Sequence, residues 1–266
     1  FAGSAAVTVA AACSRKARKY WINDAHEPIA ALWREILDKP ETLLRGYRKL
    51  WKAQHGDERD FYNRVRDKFN KEHSAVCFLY LLARCVKAAI RYNRSGQFNN
   101  SPDNRRKGMR PEKMAQNILF ISELLGNTTR VSSKDYRTVL KRATARDVVY
   151  MDPPYQGVCQ DRDQRYCATV LFDDFVETLE RLNEKGVAYI VSYDGRMGDK
   201  VHGEKLPDHL NLEYFEIAAG KSTQSTLLGR SHDTYESLYL SRVLIERLGS
   251  VPGILAENED AYLFAM

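Results

Sequence analysis

Apolar residues recur at helical spacing through the first half of the chain. Leu79, Leu82, Val86 and Ile90 follow one another at intervals of three and four residues, which is the spacing of one buried helix face. The same kind of pattern predicts helices over 4–18, 25–37, about 43–89 and 111–125, and a short strand over 20–22. The helix at 111–125 begins with a proline, a residue that fits the first turn of a helix.

The second half of the chain has short apolar runs that are typical of buried strands. Two of them, at 147–151 and 187–192, flank an amphipathic helix at 172–184. Further strands are predicted over 129–131, 212–218 and 235–240. Strands that alternate with helices favour an α/β fold with a mostly parallel sheet and helices on both faces.

A helical, basic block interrupts this α/β pattern, and we therefore predict an inserted domain. Residues 1–45 and 128–266 are the two parts of one α/β domain, and residues 46–127 form a mainly helical insertion. Within the insertion, Ser95-Gly96 lies between two short β-compatible arms, which predicts a β-hairpin at 90–100.

Charge is concentrated in the same block. The 266-residue chain has a net charge of only +6, but residues 45–113 contain 18 lysines and arginines against 7 aspartates and glutamates. Aromatic residues are interleaved with these cations, a composition that suits contact with a phosphate backbone. A solvated helical surface has the same composition and stays open as the alternative.

Composition excludes several classes of protein. With 44% hydrophobic and 29% charged residues, the chain is neither disordered nor collagen-like, and no apolar run approaches the roughly 18 residues of a membrane helix. The chain has five cysteines without a CxxC pair and six histidines without metal-ligand spacing. This disfavours a disulfide framework or a zinc site, and we expect the protein in a reducing cytoplasm. Because the chain begins at Phe1, we expect the natural protein to extend upstream or a second chain to supply that part.

The strongest signal for chemistry is Asp152-Pro153-Pro154-Tyr155, at the carboxyl end of a predicted strand, where ligands of open α/β sheets bind. The Asp152 carboxylate and the Pro153 carbonyl can each accept one N–H bond from an exocyclic amine, and this favours the pyramidal nitrogen that attacks an electrophile. The prolines hold these acceptors rigid. Tyr155 offers an aromatic face to a base. A rigid turn containing an aspartate is the structural alternative.

Two weaker signals indicate a nucleoside-type ligand. Phe1-Ala2-Gly3-Ser4-Ala5 is a glycine turn before a helix, which lets a ligand approach the helix N-terminus. An alanine replaces a second glycine at Ala5, and we expect it to fit with a negative φ. Asp24 follows the turn by about 20 residues, the place of a ribose-hydroxyl acceptor in nucleoside-binding α/β units. Asp24 is also suited to capping the next helix.

In combination, FAGSA, IND, KDY and VVYMDPPY resemble the S-adenosylmethionine-dependent DNA adenine-N6 methyltransferases of the Dam-like class. In that family the glycine motif comes first, the target-recognition insertion next and DPPY last, which is the order seen here. RYNRSGQFN also resembles the family's recognition hairpin, and TYESL is similar to its closing strand. The resemblance implies a Rossmann-like class I methyltransferase sheet with an inserted target-recognition domain.

The resemblance also implies a cofactor, a substrate and roles for individual residues. The cofactor is S-adenosyl-L-methionine, the product is S-adenosyl-L-homocysteine, no metal is needed, and the substrate is double-stranded DNA. Cofactor binding is implied for Phe1, Ala2, Gly3, Asp24, Asp135, Tyr136 and Asp152. Catalysis is implied for Asp152, Pro153, Pro154 and Tyr155, with Tyr155 stacked on the flipped base. DNA contact is implied for Arg91, Tyr92, Asn93, Arg94, Arg105 and Arg106.

We therefore expect a site-specific enzyme that methylates adenine N6 in duplex DNA, as a monomer or weak dimer in the cytoplasm of a bacterial, archaeal or phage-infected cell. A partner restriction nuclease, an orphan enzyme and a phage-borne enzyme all fit. Three alternatives stay open: an adenine-N6 methyltransferase of ribosomal RNA, a cytosine-N4 enzyme, and a nucleic-acid-binding module without activity. Cytosine-N4 enzymes usually carry serine where Asp152 stands.

Overall fold

The computed structural model describes residues 1–154, 170–197, 200–202, 204–221 and 233–249. The chain divides into two compact units. One unit is formed by residues 2–135, and the other contains Phe1 and the described residues from 136 onward. In these ranges, no helix combines the length and the apolar character needed to cross a membrane.

The unit formed by residues 2–135 is mainly helical. Its helices are α1 (Ala6–Cys13), α2 (Glu27–Asp38), α3 (Pro40–Ala53), α4 (Glu58–Glu72), α5 (Ala75–Arg84) and α6 (Pro111–Leu125), with 3-10 turns at Val86–Ala88 and Gly126–Thr128. Strands β1 (Tyr20–Asn23) and β2 (Thr129–Ser132) pair in parallel. Prolines occupy the first turn of α2, α3 and α6, where an intrahelical N–H is not required.

Aromatic side chains dominate the core of this helical unit. Phe69 on α4 and Phe78 on α5 are fully buried and stack with ring centroids 5.1 Å apart. Phe98 from the predicted hairpin makes edge contacts with both rings, at 5.9 and 6.3 Å. Tyr92 pairs with Phe98 as an isolated antiparallel bridge. The turn predicted around Ser95-Gly96 is therefore present, and Phe98 anchors it to the helical core.

The helix at 111–125 is confirmed residue for residue, whereas two other helical predictions change in extent. The stretch predicted over 43–89 is divided into three α-helices, and α4 ends where His73 takes a left-handed φ of 52°. The helix predicted over 4–18 ends at Cys13. Arg15 has a φ of 51°, which a continuing right-handed helix does not allow.

The second unit contains a mixed sheet. Its described strands are β3 (Val148–Met151), β4 (Ala188–Met197), β5 (Lys200–His202), β6 (Leu212–Lys221) and β7 (Asp233–Ser241), and its described helices are α7 (Tyr136–Leu140), α8 (Phe172–Glu184) and α9 (Arg242–Leu248), with a 3-10 turn at Asp208–Leu210. The strand order is β3-β4-β7-β6, and β5 pairs with the end of β4. Only β3 and β4 are parallel among these pairs, so the mostly parallel sheet that we expected is mixed in the described strands.

Strand β3 differs from the buried strand predicted at 147–151. It lies at the edge of its sheet as far as the described residues extend, and Val148 and Tyr150 are 59% and 37% exposed. Met151 is buried and belongs to the core beneath α8. An apolar run predicts a strand without revealing whether both faces are covered. The prediction of a buried strand is therefore wrong for β3, although Ala188 and Val191 on β4 are fully buried as expected.

The α/β class is confirmed, and so is the helix at 172–184, which matches α8 in full. The insertion at 46–127 and the boundaries that define it stay a prediction. The ends of two strands position candidate site residues. Strand β3 delivers Asp152 directly after its carboxyl end, and β1 delivers Asn23 and Asp24 in the same way in the helical unit.

Candidate functional site

The glycine turn at the start of the chain is a tight left-handed turn. The Ala5 N–H donates to the Ala2 carbonyl at 2.6 Å, and both Gly3 and Ala5 have a φ of 50°. The negative φ expected at Ala5 is therefore wrong, because α1 begins directly after a left-handed residue. Such a conformation costs an L-residue about 1–2 kcal/mol. At Gly3, an added Cβ would meet no atom within 4 Å, so this backbone is open to an approaching ligand.

Asp24 connects the glycine turn to the start of α2. Its Oδ2 accepts the Gly3 N–H at 2.9 Å, and its Oδ1 accepts the His26 N–H at 2.9 Å. The N-cap position of α2 is His26, so Asp24 shapes the turn before the helix and is not itself the cap. Trp33 on α2 donates its Nε1–H to the Gly3 carbonyl at 3.0 Å. The carboxylate keeps further lone pairs with which it can accept hydrogen bonds from the hydroxyls of a ribose.

Asn23 fixes the loop that leads from β2 to Asp135. Its Nδ2 donates to the Lys134 carbonyl at 2.9 Å, and its Oδ1 accepts the Lys134 N–H at 3.0 Å and the Ser132 hydroxyl at 2.7 Å. Trp21 donates its Nε1–H to the same hydroxyl at 2.7 Å. This role of Asn23 could not be predicted from the sequence, because Asn23 and Lys134 are far apart along the chain and no local motif connects them.

Phe1 and Tyr136, two residues implied in cofactor binding, are brought together in the second unit. Their ring centroids lie 5.1 Å apart. Tyr136 contacts Phe175 of α8 at 6.0 Å, and Phe175 stacks on Tyr193 of β4 at 5.6 Å. Phe175 and Tyr193 are buried, so the pair formed by Phe1 and Tyr136 rests on the core of the unit.

Asp152, at the carboxyl end of β3, has a carboxyl group whose pKa is strongly raised. Its side chain keeps contact with solvent, but the surrounding protein displaces enough water to raise the pKa of its carboxyl group to about 6, and the Glu236 carboxylate adds to the rise. Burial also raises the pKa of Glu236 on β7. Burial, with the nearby Asp152 charge, raises the pKa of Tyr150 to about 12. Asp152 is thus ionised at neutral pH and unusually basic for an aspartate.

The two prolines follow Asp152 outside any regular secondary structure, and Pro153 is buried. Burial of the ring fixes the residue whose carbonyl is the second acceptor in the predicted site. Tyr155, the last residue of the motif, lies outside the described residues.

The hairpin is tied to the start of α2 through Tyr92. The Tyr92 hydroxyl lies 2.5 Å from Nε2 of His26, and burial lowers the pKa of that histidine. The Oδ1 of Asn93 accepts the backbone N–H groups of Ser95 and Gln97 at 3.0 and 2.9 Å, so this carbonyl shapes the turn. The side chains of Arg91 and Arg94, in contrast, are exposed.

Arg105 and Arg106 project from the loop between the hairpin and α6. Both form ion pairs with Asp103 and keep 78% and 69% of their side-chain surface exposed. Separately, a cleft of about 390 Å³ lies between α4 and the hairpin, lined by Arg66, Asp67, Asn70, Lys71, Asn93, Gln97, Phe98 and Asn99. Neither Asp103 nor the α4 side of this cleft was indicated by the sequence analysis.

Cysteines and metal ligands add nothing to the site in the part of the chain that the structure describes. Cys13, Cys77 and Cys85 are free thiols there, and no group of three or more His, Cys, Asp or Glu side chains is arranged to hold a metal ion. Cys159 and Cys167 lie outside those residues.

Comparison with known proteins identifies the class. The profile of the D12 class N6 adenine-specific DNA methyltransferases matches residues 1–223, and the chain belongs to this family. Among its relatives are a DNA adenine methylase of Serratia marcescens, 29% identical over 51% of this chain and 50% of that protein, and the retron Ec67 DNA adenine methylase of Escherichia coli, 30% identical over 64% and 61%.

A third relative is the type II methyltransferase M1.LlaDCHI of Lactococcus lactis subsp. cremoris, 29% identical over 52% of this chain and 50% of that protein. The chain thus spans about half the length of the curated relatives it matches. The family resemblance expected from the motifs is confirmed.

Proposed function

We propose that this protein is a site-specific DNA methyltransferase that flips an adenine out of duplex DNA and methylates its N6. The observation that carries the proposal is Asp152, a carboxylate whose pKa is raised to about 6, placed after a strand and before two prolines. Membership of an adenine-specific DNA methyltransferase family supports both the substrate and the acceptor atom. A role as a modification enzyme beside a restriction nuclease is consistent with the type II relative.

The proposed cofactor is S-adenosyl-L-methionine, which supplies an electrophilic methyl group when bound. The open backbone at Gly3 and the acceptor Asp24 fit the nucleoside part of such a molecule, because a diol donates well to a carboxylate. Phe1, Ala2, Asp135 and Tyr136 are proposed as its further contacts. The hydrogen bonds of Asn23 to Lys134 support Asp135 by fixing the adjacent backbone.

Asp152 and Pro153 are proposed to hold the target amine. The Asp152 carboxylate accepts one N–H bond and the Pro153 carbonyl accepts the other. When the nitrogen takes the methyl group, the bond from the methyl carbon to the sulfonium sulfur would break and leave a neutral thioether. Positive charge would develop on the nitrogen, and the ionised carboxylate would stabilise that charge. A pKa of about 6 also suits Asp152 to take up the released proton and pass it to water. Pro154 keeps the turn rigid, and Tyr155 is proposed to stack on the flipped base.

The helical segment 46–127 is proposed as the target-recognition domain, inserted between the catalytic parts 1–45 and 128–266. Its hairpin at 90–100 is held to the core by Phe98, which gives its exposed arginines a defined place. Phosphate contacts supply most of the affinity of such a surface, and few side chains contact base edges. The DNA contacts proposed here are Arg91, Tyr92, Asn93, Arg94, Arg105 and Arg106.

Product analysis tests this function. The full-length protein is incubated with S-adenosylmethionine and either mixed-sequence duplex DNA or structured RNA, and the nucleic acid is digested and its modified nucleosides are quantified. We expect N6-methyladenine in DNA. Three results would contradict the proposal. N4-methylcytosine would show a cytosine-N4 enzyme, and methylation of RNA alone would show an RNA methyltransferase. DNA binding without any methylated nucleoside would show a binding module without activity.

A further inference from the structure

One buried carboxylate holds two exposed guanidinium groups in the loop after the hairpin. Asp103 is 4% exposed. Its Oδ1 accepts the backbone N–H of Arg105 at 3.0 Å and the Nε–H of the same arginine at 3.2 Å. Its Oδ2 lies 2.9 Å from Nε and 2.8 Å from Nη2 of Arg106. Both arginines are therefore fixed at the root of the guanidinium, while their side chains remain mostly exposed.

Asp103 is itself held by the interior of the helical unit. Arg84, which is 2% exposed, donates from Nη1 to the Asp103 carbonyl at 3.0 Å, and it also donates to the Arg106 carbonyl. The Asp103 N–H donates back to the Arg84 carbonyl at 2.7 Å. A buried arginine at the end of α5 thus fixes the backbone on both sides of the two exposed arginines.

The rest of the loop is attached to the core in the same way. Gln54 donates its Nε2–H to the Lys107 carbonyl at 3.0 Å, and the Tyr80 hydroxyl in turn donates to Oε1 of Gln54 at 3.0 Å. The Tyr47 hydroxyl donates to the Met109 carbonyl at 2.6 Å. Because these side chains are buried, the backbone that carries Arg105 and Arg106 is a rigid part of the unit.

The pair of arginines keeps donors for a ligand. In the described part of the chain, the hydrogen bonds of the Arg105 side chain use only Nε, so both of its Nη groups point their N–H bonds elsewhere. The side-chain hydrogen bond from Arg105, followed by those from the Arg105 backbone and Arg106, holds the pKa of Asp103 well below its usual range. Asp103 is therefore ionised at neutral pH, where it holds both arginines in place.

We infer that Asp103 is a positioning residue that presents Arg105 and Arg106 together to one backbone phosphate of duplex DNA. This inference rests on the proposed function. Free arginine side chains lose rotamer entropy when they bind, and a guanidinium that is already oriented loses less. The planar fork of Arg105 matches the oxygens of a phosphate. The family's motifs indicate the two arginines, whereas the acid that orients them is visible only in the folded chain.

The sign of a single charge change separates positioning from simple electrostatics. Replacing Asp103 by asparagine removes a negative charge beside the DNA surface, and electrostatics alone predicts tighter binding. Positioning predicts the opposite, because the two arginines regain the rotamer freedom that they must lose again on binding. From the entropy of two such side chains we expect an affinity loss of about tenfold.

The experiment measures the dissociation constant of the full-length protein for a random-sequence 30-base-pair duplex, a length chosen as about three helical turns, at several salt concentrations. Asp103→Asn is compared with the matched control Asp57→Asn, which removes the same charge from an exposed ion pair with Arg64 on α4. We expect weaker binding for Asp103→Asn, and unchanged or slightly tighter binding for Asp57→Asn. Equal affinities for the two variants, or tighter binding by Asp103→Asn, would overturn the inference.

A second comparison separates positioning from loss of stability. The double variant Arg105→Gln/Arg106→Gln is combined with Asp103→Asn, and thermal unfolding is recorded for each protein. If Asp103 acts through the arginines, its replacement has no further effect on DNA affinity once they are gone. A further tenfold loss there would show a general structural role and contradict the inference. Wild-type protein that neither binds nor methylates duplex DNA would instead refute the proposed function, and the inference with it.

Discussion

Replacing Asp152 by asparagine should stabilise the protein while abolishing its chemistry. The pKa of this carboxyl group is raised from 3.8 to about 6, which means that ionised Asp152 is less favourable in the folded chain than in water. A tenfold change in an ionisation constant corresponds to about 1.4 kcal/mol, so the full cost of ionisation is about 3 kcal/mol. Because the side chain keeps contact with solvent, screening reduces this cost, and we expect a gain of about 1 kcal/mol.

The pH dependence of that gain follows from the direction of the shift. A carboxyl group with a raised folded-state pKa contributes stability that is fully present below its unfolded pKa, near 3.8, and is lost as the pH rises through about 6. Asparagine does not titrate. The free energy of unfolding of Asp152→Asn should therefore exceed that of the wild type by its full amount above pH 7, and the difference should shrink as the pH falls from 6 towards 4.

Urea unfolding of both proteins at pH 8 and pH 4.5 measures this difference, because titrating groups that do not interact with Asp152 cancel between wild type and variant. Glu184→Gln is the matched control: it removes one carboxylate from an exposed position at the end of α8, where we expect a change within about 0.5 kcal/mol at either pH. Two results would refute the conclusion that ionised Asp152 is unfavourable in the folded chain. One is an Asp152→Asn protein no more stable than the wild type at pH 8, and the other is an equal gain of stability at both pH values.

Three further predictions address the glycine turn, the helical core and the cofactor. In Ala5→Gly, relief of about 1–2 kcal/mol of left-handed strain offsets the lost burial of the methyl group and the added entropy of the unfolded chain, so urea unfolding should show little change in stability. Ala10→Gly within α1 is the control and should cost about 1 kcal/mol of stability. Equal losses of stability in the two variants would contradict the left-handed φ at Ala5. In Gly46→Ala the new Cβ would lie 2.7 Å from the Val76 side chain, and we expect the free energy of unfolding to fall by about 1–3 kcal/mol. Adding Val76→Ala should restore part of this stability. A Gly46→Ala protein as stable as the wild type would disprove this close packing. Asp24→Asn should raise the KM for S-adenosylmethionine about tenfold, as expected for a lost charge-assisted hydrogen bond, with kcat nearly unchanged; a fall in kcat alone would contradict a binding role.

Sequence patterns within one segment predicted the helices whose ends and faces depend on that segment alone. The helices at 111–125 and 172–184 match α6 and α8, because proline at the first turn and an amphipathic period act within each segment. Strand direction and burial depend on partners elsewhere in the chain, so the antiparallel pairing of β7 with β4 and β6 and the exposed edge at β3 could not be obtained in this way.

In the candidate site, too, residues of local motifs could be predicted and residues that act through long-range contacts could not. Asp152 and Asp24 could be proposed as site residues because their motifs are contiguous and have a characteristic spacing. Asn23 and Asp103 could not, since each acts by hydrogen bonds whose geometry exists only in the folded chain. Ala5 failed for a related reason: its residue type indicates a negative φ, and the turn that precedes α1 imposes a positive one.

The central claim is that Asp152 carries the chemistry, and a single-turnover assay tests it most directly. The full-length wild type, Asp152→Asn and Glu184→Gln are mixed in excess with duplex DNA and S-adenosylmethionine at pH 8, and N6-methyladenine is followed with time alongside DNA affinity. We predict that Asp152→Asn binds DNA like the wild type but forms N6-methyladenine at least a hundredfold more slowly, because a positioned charge or base contributes about that factor to the rate. Glu184→Gln should have the DNA affinity and the methylation rate of the wild type. Methylation by Asp152→Asn at the wild-type rate would contradict the account.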